Sequence, residues 1–507
     1  MNDSSQSQIQ ATIRKGDRKM RPGTGDNQPN RQKPQRVCLL HLHGLFRGQH
    51  LELGRDADTG GQTQYVLELA KTLAQVDPDV EVEVITRQIF DSHVSEDYRQ
   101  PTEQVDERVQ ITRIAFGPDR YLAKEELWAH LDEFVERAKD HFLAEGTPDV
   151  LHGHYADAGQ AGALLARHFN IPFVFTGHSL GRCKRRRLEG TEPEADLEQR
   201  YQFGKRIAAE EFALRRASRV VTSTQQEIDE QYALYEHGVP DKMQVIPPGI
   251  NLDRFLDCEE VCGEESVVQD IEKFLRDPEK PVILAMSRPD TRKNISTLLK
   301  VYGESERLQQ AANLVLILGV REDLQDLPAG CFEVMSDVLL AIDRYDLYGK
   351  VAYPKEHHST DVPKIYRYAE QHNGVFANIA LTEPFGLTLL EAGAAGLPVV
   401  ATSDGGPIEI LKNCDHGVCV DPLDEVEIET ALFELIDDAD RWEACSQFGK
   451  RGVQDHYTWK THVRQYLAML GELVDHAPGS PAMPPATDAL ASSVVAGEPL
   501  EVVVPAE

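Results

Sequence analysis

The sequence predicts an α/β protein built from two doubly wound domains in tandem. Three observations carry that expectation. Short β-branched runs alternate with stretches of helical periodicity, the pattern of βαβ units and parallel sheet. The alternation runs twice, with Pro247-Pro248-Gly249 between the two series. And 507 residues are too many for one compact core.

Residues 1 to about 35 carry almost no apolar periodicity and read as a disordered tail. The first series of strands takes in 37–40, 82–86, 173–175, 219–221 and 244–246, with an amphipathic helix at 62–73. The prolines at 247 and 248 stiffen the chain and Gly249 lets it turn sharply, so a boundary is expected near residue 250. The second series takes in 282–285, 314–317, 350–352, 374–376 and 398–401. A helix at 459–473 belongs to neither series by pattern, which leaves room for it to cross back to the first domain. The expected units are 1–35, 36–250, 251–475 and a Pro/Ala-rich, acidic tail at 476–507.

With 53 Lys+Arg against 84 Asp+Glu the net charge is −31, which repels nucleic acid and acidic membrane surfaces. An anionic ligand then needs a local basic cluster. The eight cysteines are scattered, and the pairs Cys258/Cys262 and Cys414/Cys419 lack a second pair at zinc spacing, so free thiols are expected. No apolar run is long enough to span a membrane, and the N-terminus is not that of a secretory signal, so a cytoplasmic location is expected.

Ligands of open α/β sheets sit outside the carboxyl ends of strands, so motifs that follow strands weigh most. After the first strand comes Asp58-Thr59-Gly60-Gly61-Gln62-Thr63, whose glycines let backbone amides approach a ligand at a helix start. It is not the GxGxxG of nicotinamide binding. After the first strand of the second series, Arg288 and Lys293 lie five residues apart on Ser287-Arg288-Pro289-Asp290-Thr291-Arg292-Lys293-Asn294, suited to straddling a diphosphate. Glu383-Pro384-Phe385-Gly386-Leu387 leads into a helix bearing Glu391. One carboxylate precedes the Pro and Gly and the other follows inside the helix, so both face one cleft, where carboxylates take sugar hydroxyls and free amides take sugar oxygens. His152 and His154 have metal-like spacing but no evident third ligand.

Together these elements resemble the retaining glycosyltransferases of the GT-B fold, in the glycogen and sucrose synthase group: two Rossmann-like domains facing across a cleft. The likeness is closer still to the sucrose-phosphate synthase family, through His41-Leu42-His43-Gly44-Leu45, the run from Leu53 to Gln62, His152 to Gly159, Phe175 to Arg182 and Asp404-Gly405-Gly406-Pro407. It extends from about Val37 to Leu473. The likeness leads one to expect the short, synthase-only form without a phosphatase-like extension.

The resemblance implies a division of labour. Arg288 and Lys293 grip the diphosphate of UDP-glucose, Glu391 the ribose, and Glu383 with the amides of Phe385, Gly386 and Leu387 the glucose. Gly61 belongs to the donor site, as do Pro354 and Lys355 in a base loop that does not itself separate uracil from adenine or guanine. His154 reaches a glucose hydroxyl beside the reacting carbon, and with Glu383, Arg288 and Lys293 makes the catalytic set. In the first domain Gly60 and Gln62 meet the acceptor sugar, while Arg120, Ser179, Lys184, Lys205 and Arg206 surround its phosphate. Arg185, Arg186 and Arg187 are left without a role. No cofactor is required, Mg2+ at most stimulates, and no metal is a ligand of the site. The expected partners are a nucleotide-sugar and a sugar phosphate. The rivals are a synthase using ADP-glucose or GDP-mannose (the mannosylfructose-phosphate type), a sucrose synthase with plain fructose as acceptor, and a silent nucleotide-sugar binder; oligomeric state is not legible.

Overall fold

The computed structural model describes residues 34–52, 55–56, 58–190, 193–256 and 266–475. Both expected tails fall outside these, save Pro34 and Gln35, as do Cys258 and Cys262. The first sheet has eight strands: β1 (Arg36–Leu40), β2 (Glu81–Arg87), β3 (Thr102–Asp106), β4 (Val109–Ile114), β5 (Val150–His154), β6 (Phe173–Thr176), β7 (Arg219–Thr222) and β8 (Met243–Val245). Their order is β3-β4-β2-β1-β5-β6-β7-β8, parallel except for the β3/β4 pair at the edge. The second sheet is wholly parallel: β9 (Val282–Met286), β10 (Asn313–Ile317), β11 (Val351–Ala352), β12 (Val375–Asn378), β13 (Val399–Thr402) and β14 (Gly417–Val420), in the order β11-β10-β9-β12-β13-β14.

Helices cover both faces of each sheet, which is why β1 reads Val-Cys-Leu-Leu without alternation and is buried throughout that run. The helix α1 (Gly61–Val76) lays Val66, Leu69, Ala70 and Leu73 on the first sheet, a stripe at helical spacing. The others that shape the site are α2 (Tyr155–Phe169), α3 (Gly181–Leu188), α4 (Phe203–Arg216), α5 (Leu387–Ala395) and α6 (Trp459–Asp475).

Among the parallel strands, sequence order reverses direction at one place in each sheet: between β1 and β5 in the first, and between β9 and β12 in the second. The crevices that open there are where such folds bind ligands. The two domains face each other across a cleft between these crevices.

Two stretches of chain join the domains, side by side. Ile250 donates its N–H to the Tyr457 carbonyl at 2.9 Å. A Cβ on Gly249 would lie 2.2 Å from the Trp459 nitrogen, so only glycine lets the two stretches pack. Beyond this crossing α6 leaves the second domain and packs on the first, with Val463, Tyr466, Leu470 and Leu473 in the same apolar cluster as α1.

Strands β3, β4, β5 and β14 are not among the runs that the sequence pattern picks out. β5 hides because three of its five residues are His152, Gly153 and His154, and β14 because it opens on glycine and is only four residues long.

Candidate active site

On the first-domain side, His41 follows directly on β1 and β5 ends in His154. His154 is wholly buried, and its Nδ1 stands 3.0 Å from Nε2 of His178. Its own Nε2 is buried with no hydrogen-bond partner among the described residues. Burial pushes the pKa of His154 well below the usual value, with the neighbouring histidines His152 and His178 adding to the effect. Burial likewise takes His178 down to about 3. These imidazoles are therefore neutral at physiological pH. His152 is fully engaged, Nδ1 with the Tyr466 hydroxyl at 2.8 Å and Nε2 with the Thr176 hydroxyl at 2.9 Å, so the HxH spacing serves packing between β5, β6 and α6.

Gly60 and Gly61 open α1. A Cβ on either would meet nothing within 4 Å, and Gly60 has an extended backbone open to any residue. Nothing in the fold therefore demands glycine here, and the open space beside them is where a ligand could approach the helix start. Gln62 donates from Nε2 to Nδ1 of His41 at 3.0 Å.

On the second-domain side, Arg288 follows β9 and is exposed, its guanidinium without a hydrogen bond or ion pair to the described residues. Lys293 ends a 3-10 turn, Thr291–Lys293, and its ammonium lies 2.6 Å from Glu383 Oε2. Asn378, at the end of β12, donates toward the same oxygen at 3.3 Å. The loop carrying Glu383 is pinned to the one after β13: Glu383 donates its N–H to the Asp404 carbonyl and accepts at its own carbonyl from Gly406, both at 3.0 Å. Gly405 sits at φ +115, and a Cβ there would lie 2.0 Å from the Glu383 oxygen, which accounts for the Gly-Gly in this run.

Gly386 caps α5 at φ +103, so the amides of Phe385, Gly386 and Leu387 stand at the helix entry, where α-helical geometry supplies no acceptor. Glu391 lies one turn further on, accepting from the Tyr366 hydroxyl at 3.2 Å; burial raises its pKa. A cavity of about 610 Å³ lies between the two sides, walled by Gly61, Gln62 and His178 from one domain and by Arg288, Lys293, Glu383 and Glu391 from the other; the expected His154 and Gly60 are not among its walls.

The basic cluster lies deeper in the first domain, outside the walls of that cavity. Lys184 on α3 rests its ammonium 3.8 Å from the Tyr201 ring centre. Arg206 on α4 is buried: Nε donates to Glu210 at 3.0 Å, Nη2 to the Ser179 carbonyl and hydroxyl at 2.6 and 3.2 Å, and its guanidinium lies over the Tyr155 ring. Burial, and then the charges of Arg206 and Lys124, bring the Lys184 pKa down to about 8. Lys124, which sequence reasoning missed, thus belongs to this cluster; its N–H donates to Asp58 Oδ2 at 2.9 Å and its ammonium pairs with the same carboxylate.

Arg120 is turned instead onto Glu126, with contacts of 2.6 and 3.0 Å. Lys205 is exposed. Of the unassigned arginines, Arg185 pairs with Glu194, while Arg186 and Arg187 are exposed. Pro354 and Lys355 do not wall the cavity. The buried Arg321 holds their loop by donating to the carbonyls of Tyr353 and Pro354 at 2.9 and 3.0 Å. No group of three His, Cys, Asp or Glu among the described residues is placed to hold a metal ion, and none of the described helices is long and apolar enough to cross a membrane. Cys414 and Cys419 are free thiols.

Residues 60–249 match the family described as glycosyl transferase 4-like domain, and residues 268–454 that described as glycosyl transferases group 1. Among curated relatives, the sucrose-phosphate synthase of Zea mays is 41% identical over 90% of this chain, and the probable sucrose-phosphate synthase 3 of Arabidopsis thaliana 42% identical over 86%. The chain spans about half the length of these relatives, 49% and 47%. Among solved structures, the sucrose-phosphate synthase of Thermosynechococcus elongatus superposes with a TM-score of 0.65 at 23% identity, covering 87% of this chain and 99% of that one. HepE of Anabaena in complex with UDP superposes with a TM-score of 0.57 at 17% identity, covering 87% and 100%. At such identities the structures speak for the fold alone, and that fold is GT-B. The two glycosyltransferase domain families thus match in tandem, one over each sheet, and the curated likeness runs through the folded region, so the chain is similar throughout to two-domain glycosyltransferases that pair a 4-like domain with a group 1 domain.

Proposed function

We propose that this protein transfers glucose, with retention, from UDP-glucose to fructose 6-phosphate, giving sucrose 6-phosphate and UDP. The observation that carries the reading is the placement of two anion sites on opposite sides of one cleft. Arg288 and Lys293 suit a diphosphate at the mouth of the second crevice, and Lys184, Lys124 and Arg206 suit a phosphate behind the first. The curated relatives are named sucrose-phosphate synthases, which supports a sucrose phosphate as the product.

In this reading the bond from glucose C1 to the diphosphate breaks as the acceptor's anomeric hydroxyl bonds to C1 on the same face, and that hydroxyl's proton passes to the departing diphosphate. No protein nucleophile is required. The glucosyl group gains oxocarbenium character, and the protein's work is positioning and electrostatics. Arg288 and Lys293 stabilise the charge on the leaving group, the task a divalent cation does elsewhere, so the reaction needs no metal. Glu383 and the amides at the start of α5 hold the glucose hydroxyls, and Glu391 the ribose.

Product analysis tests this directly: the protein is mixed with UDP-glucose, ADP-glucose or GDP-mannose and with fructose 6-phosphate or fructose. Sucrose 6-phosphate from UDP-glucose is expected. A product made equally well from plain fructose, or a clear preference for another donor, overturns the corresponding half of the assignment.

A further inference from the structure

Beside the proposed acceptor site stands a pair that the transfer reaction above leaves unused. His43, just past the end of β1, brings Nδ1 to 2.8 Å from Oδ2 of Asp157, and both side chains are almost wholly buried, at 4% and 0% exposure. The other carboxylate oxygen, Oδ1, accepts the Ala158 N–H at 2.7 Å. Asp157 is thus held by its own helix, α2, and in turn orients the imidazole. A base oriented by a buried carboxylate is the arrangement of catalytic His–Asp pairs generally.

The surroundings say what His43 is oriented toward. On one side its ring lies 5.6 Å from that of His41, which accepts from Gln62. On the other it meets the Tyr155 ring edge-on at 4.6 Å, and the far partner of that ring is Arg206, also at 4.6 Å. Tyr155 adopts φ +75, a conformation strained for a bulky side chain, and backbone strain of this kind is concentrated at functional sites. His43 therefore sits between the residue expected at the acceptor's sugar and the one expected at its phosphate. Its Nε2 has no hydrogen-bond partner among the described residues, yet it is not one of the nitrogens sealed from solvent.

We propose that His43 is an acceptor-binding residue, taking a sugar hydroxyl at Nε2, and that Asp157 is its positioning residue, holding the proton on Nδ1 so that Nε2 offers a lone pair. The proposal rests on the reading of the first domain as the acceptor side. A carboxylate only accepts, so the Nδ1 facing it carries the hydrogen. The two variants that separate the roles follow from the geometry. In Asp157→Asn the amide oxygen can keep the Ala158 N–H while its nitrogen donates to His43 Nδ1, moving the ring proton to Nε2. In His43→Asn the side-chain nitrogen can still donate to Asp157, but nothing reaches the position of Nε2 and no carboxylate is left unpaired.

The experiment is steady-state kinetics with UDP-glucose and fructose 6-phosphate, together with nitrogen NMR of histidine-labelled protein, His43→Asn identifying the resonances. His43→Asn is expected to raise the Michaelis constant for fructose 6-phosphate roughly ten- to hundredfold and to leave that for UDP-glucose within about twofold. Asp157→Asn is expected to exchange the protonated and bare nitrogen signals of His43 and to weaken the acceptor several-fold. Unchanged acceptor constants in both variants, or equal losses for donor and acceptor, overturn the proposal while leaving the wild-type product, and so the reaction itself, untouched. A wild-type protein that makes no product from fructose 6-phosphate overturns the underlying reading instead.

Discussion

Because the ammonium of Lys184 is partly shut off from water and lies among Arg206 and Lys124, its pKa falls to about 8 in the empty site, and an anion entering there would reverse that shift. The sign follows from linkage. The phosphate favours the charged amine, so acceptor affinity is full below about pH 8 and falls as pH rises through it. The Michaelis constant for fructose 6-phosphate should climb about tenfold per pH unit above that point, while that of the Lys184→Arg variant, whose guanidinium does not titrate there, stays flat. Lys184→Ala should raise the constant roughly ten- to hundredfold and spare any weak activity on plain fructose, since one charge-assisted contact contributes about 1.5–3 kcal/mol. A flat wild-type profile to pH 9.5 would remove Lys184 from the phosphate. Lys184 was legible because it sits in a basic run within an acidic chain. Lys124 was not, since in Lys124-Glu125-Glu126 it reads as an ordinary helix charge. Which of the two nearby cations turns inward is decided by Glu126, which engages Arg120, and by Asp58, which draws in Lys124.

At the scale of elements, the histidines at the strand ends do more than meet ligands. His152 ties β5 to Tyr466 of α6, and His462 of α6 lies with Nδ1 2.8 Å from the Pro247 carbonyl and Nε2 3.2 Å from the Tyr65 hydroxyl of α1. Burial lowers the pKa of His41, His152 and His154 strongly, of His178 to about 3, and of His416 and His462 to about 4. Their folded values lie below the unfolded value near 6.5, so the stability they carry is complete above that pH. As pH falls toward 4 the unfolded chain takes up protons that the native protein refuses, at about 1.4 kcal/mol per pH unit for each such histidine. The melting temperature should therefore drop steeply between pH 6.5 and 4.5; calorimetry showing it unchanged would contradict the burial of this cluster. Gly405→Ala should cut kcat by about tenfold or more by displacing the Glu383 backbone, with a smaller effect on melting, since misplacing a reacting group costs more than the local clash. Strands such as β1 and β9 announced themselves as buried apolar runs. The strand bearing the site did not, because β5 trades apolar residues for the histidines and the glycine that chemistry and close packing require.

For the molecule as a whole, Arg288, Lys293, Glu383 and Glu391 line the cleft cavity whereas Lys184, Ser179 and Arg206 lie beyond its walls, yet in the proposed reaction an acceptor held by its phosphate must bring a hydroxyl to glucose C1. Either the acceptor reaches past the histidines or the domains close on it, and the connection favours closure. Among the described residues two adjacent stretches cross between the sheets, around Gly249 and around Trp459, and they lean on each other through the Ile250–Tyr457 bond. Among the direct contacts across the cleft is the Gln225 N–H on Glu409 at 2.6 Å, a single exposed hydrogen bond that a small rotation can exchange. A domain pair so joined moves as rigid bodies about its crossing, at the cost of few packed contacts. A diphosphate on Arg288 and Lys293 and a phosphate on Lys184 would each be offset locally by cations of its own domain, in a chain whose net charge is −31. Small-angle scattering should show a smaller radius of gyration with UDP and fructose 6-phosphate together than with either alone, because only the pair spans both domains. Scattering curves that superpose in all four conditions would mean that the cleft as it stands is already the reacting geometry, and the acceptor would then have to bind nearer the cavity than its basic cluster.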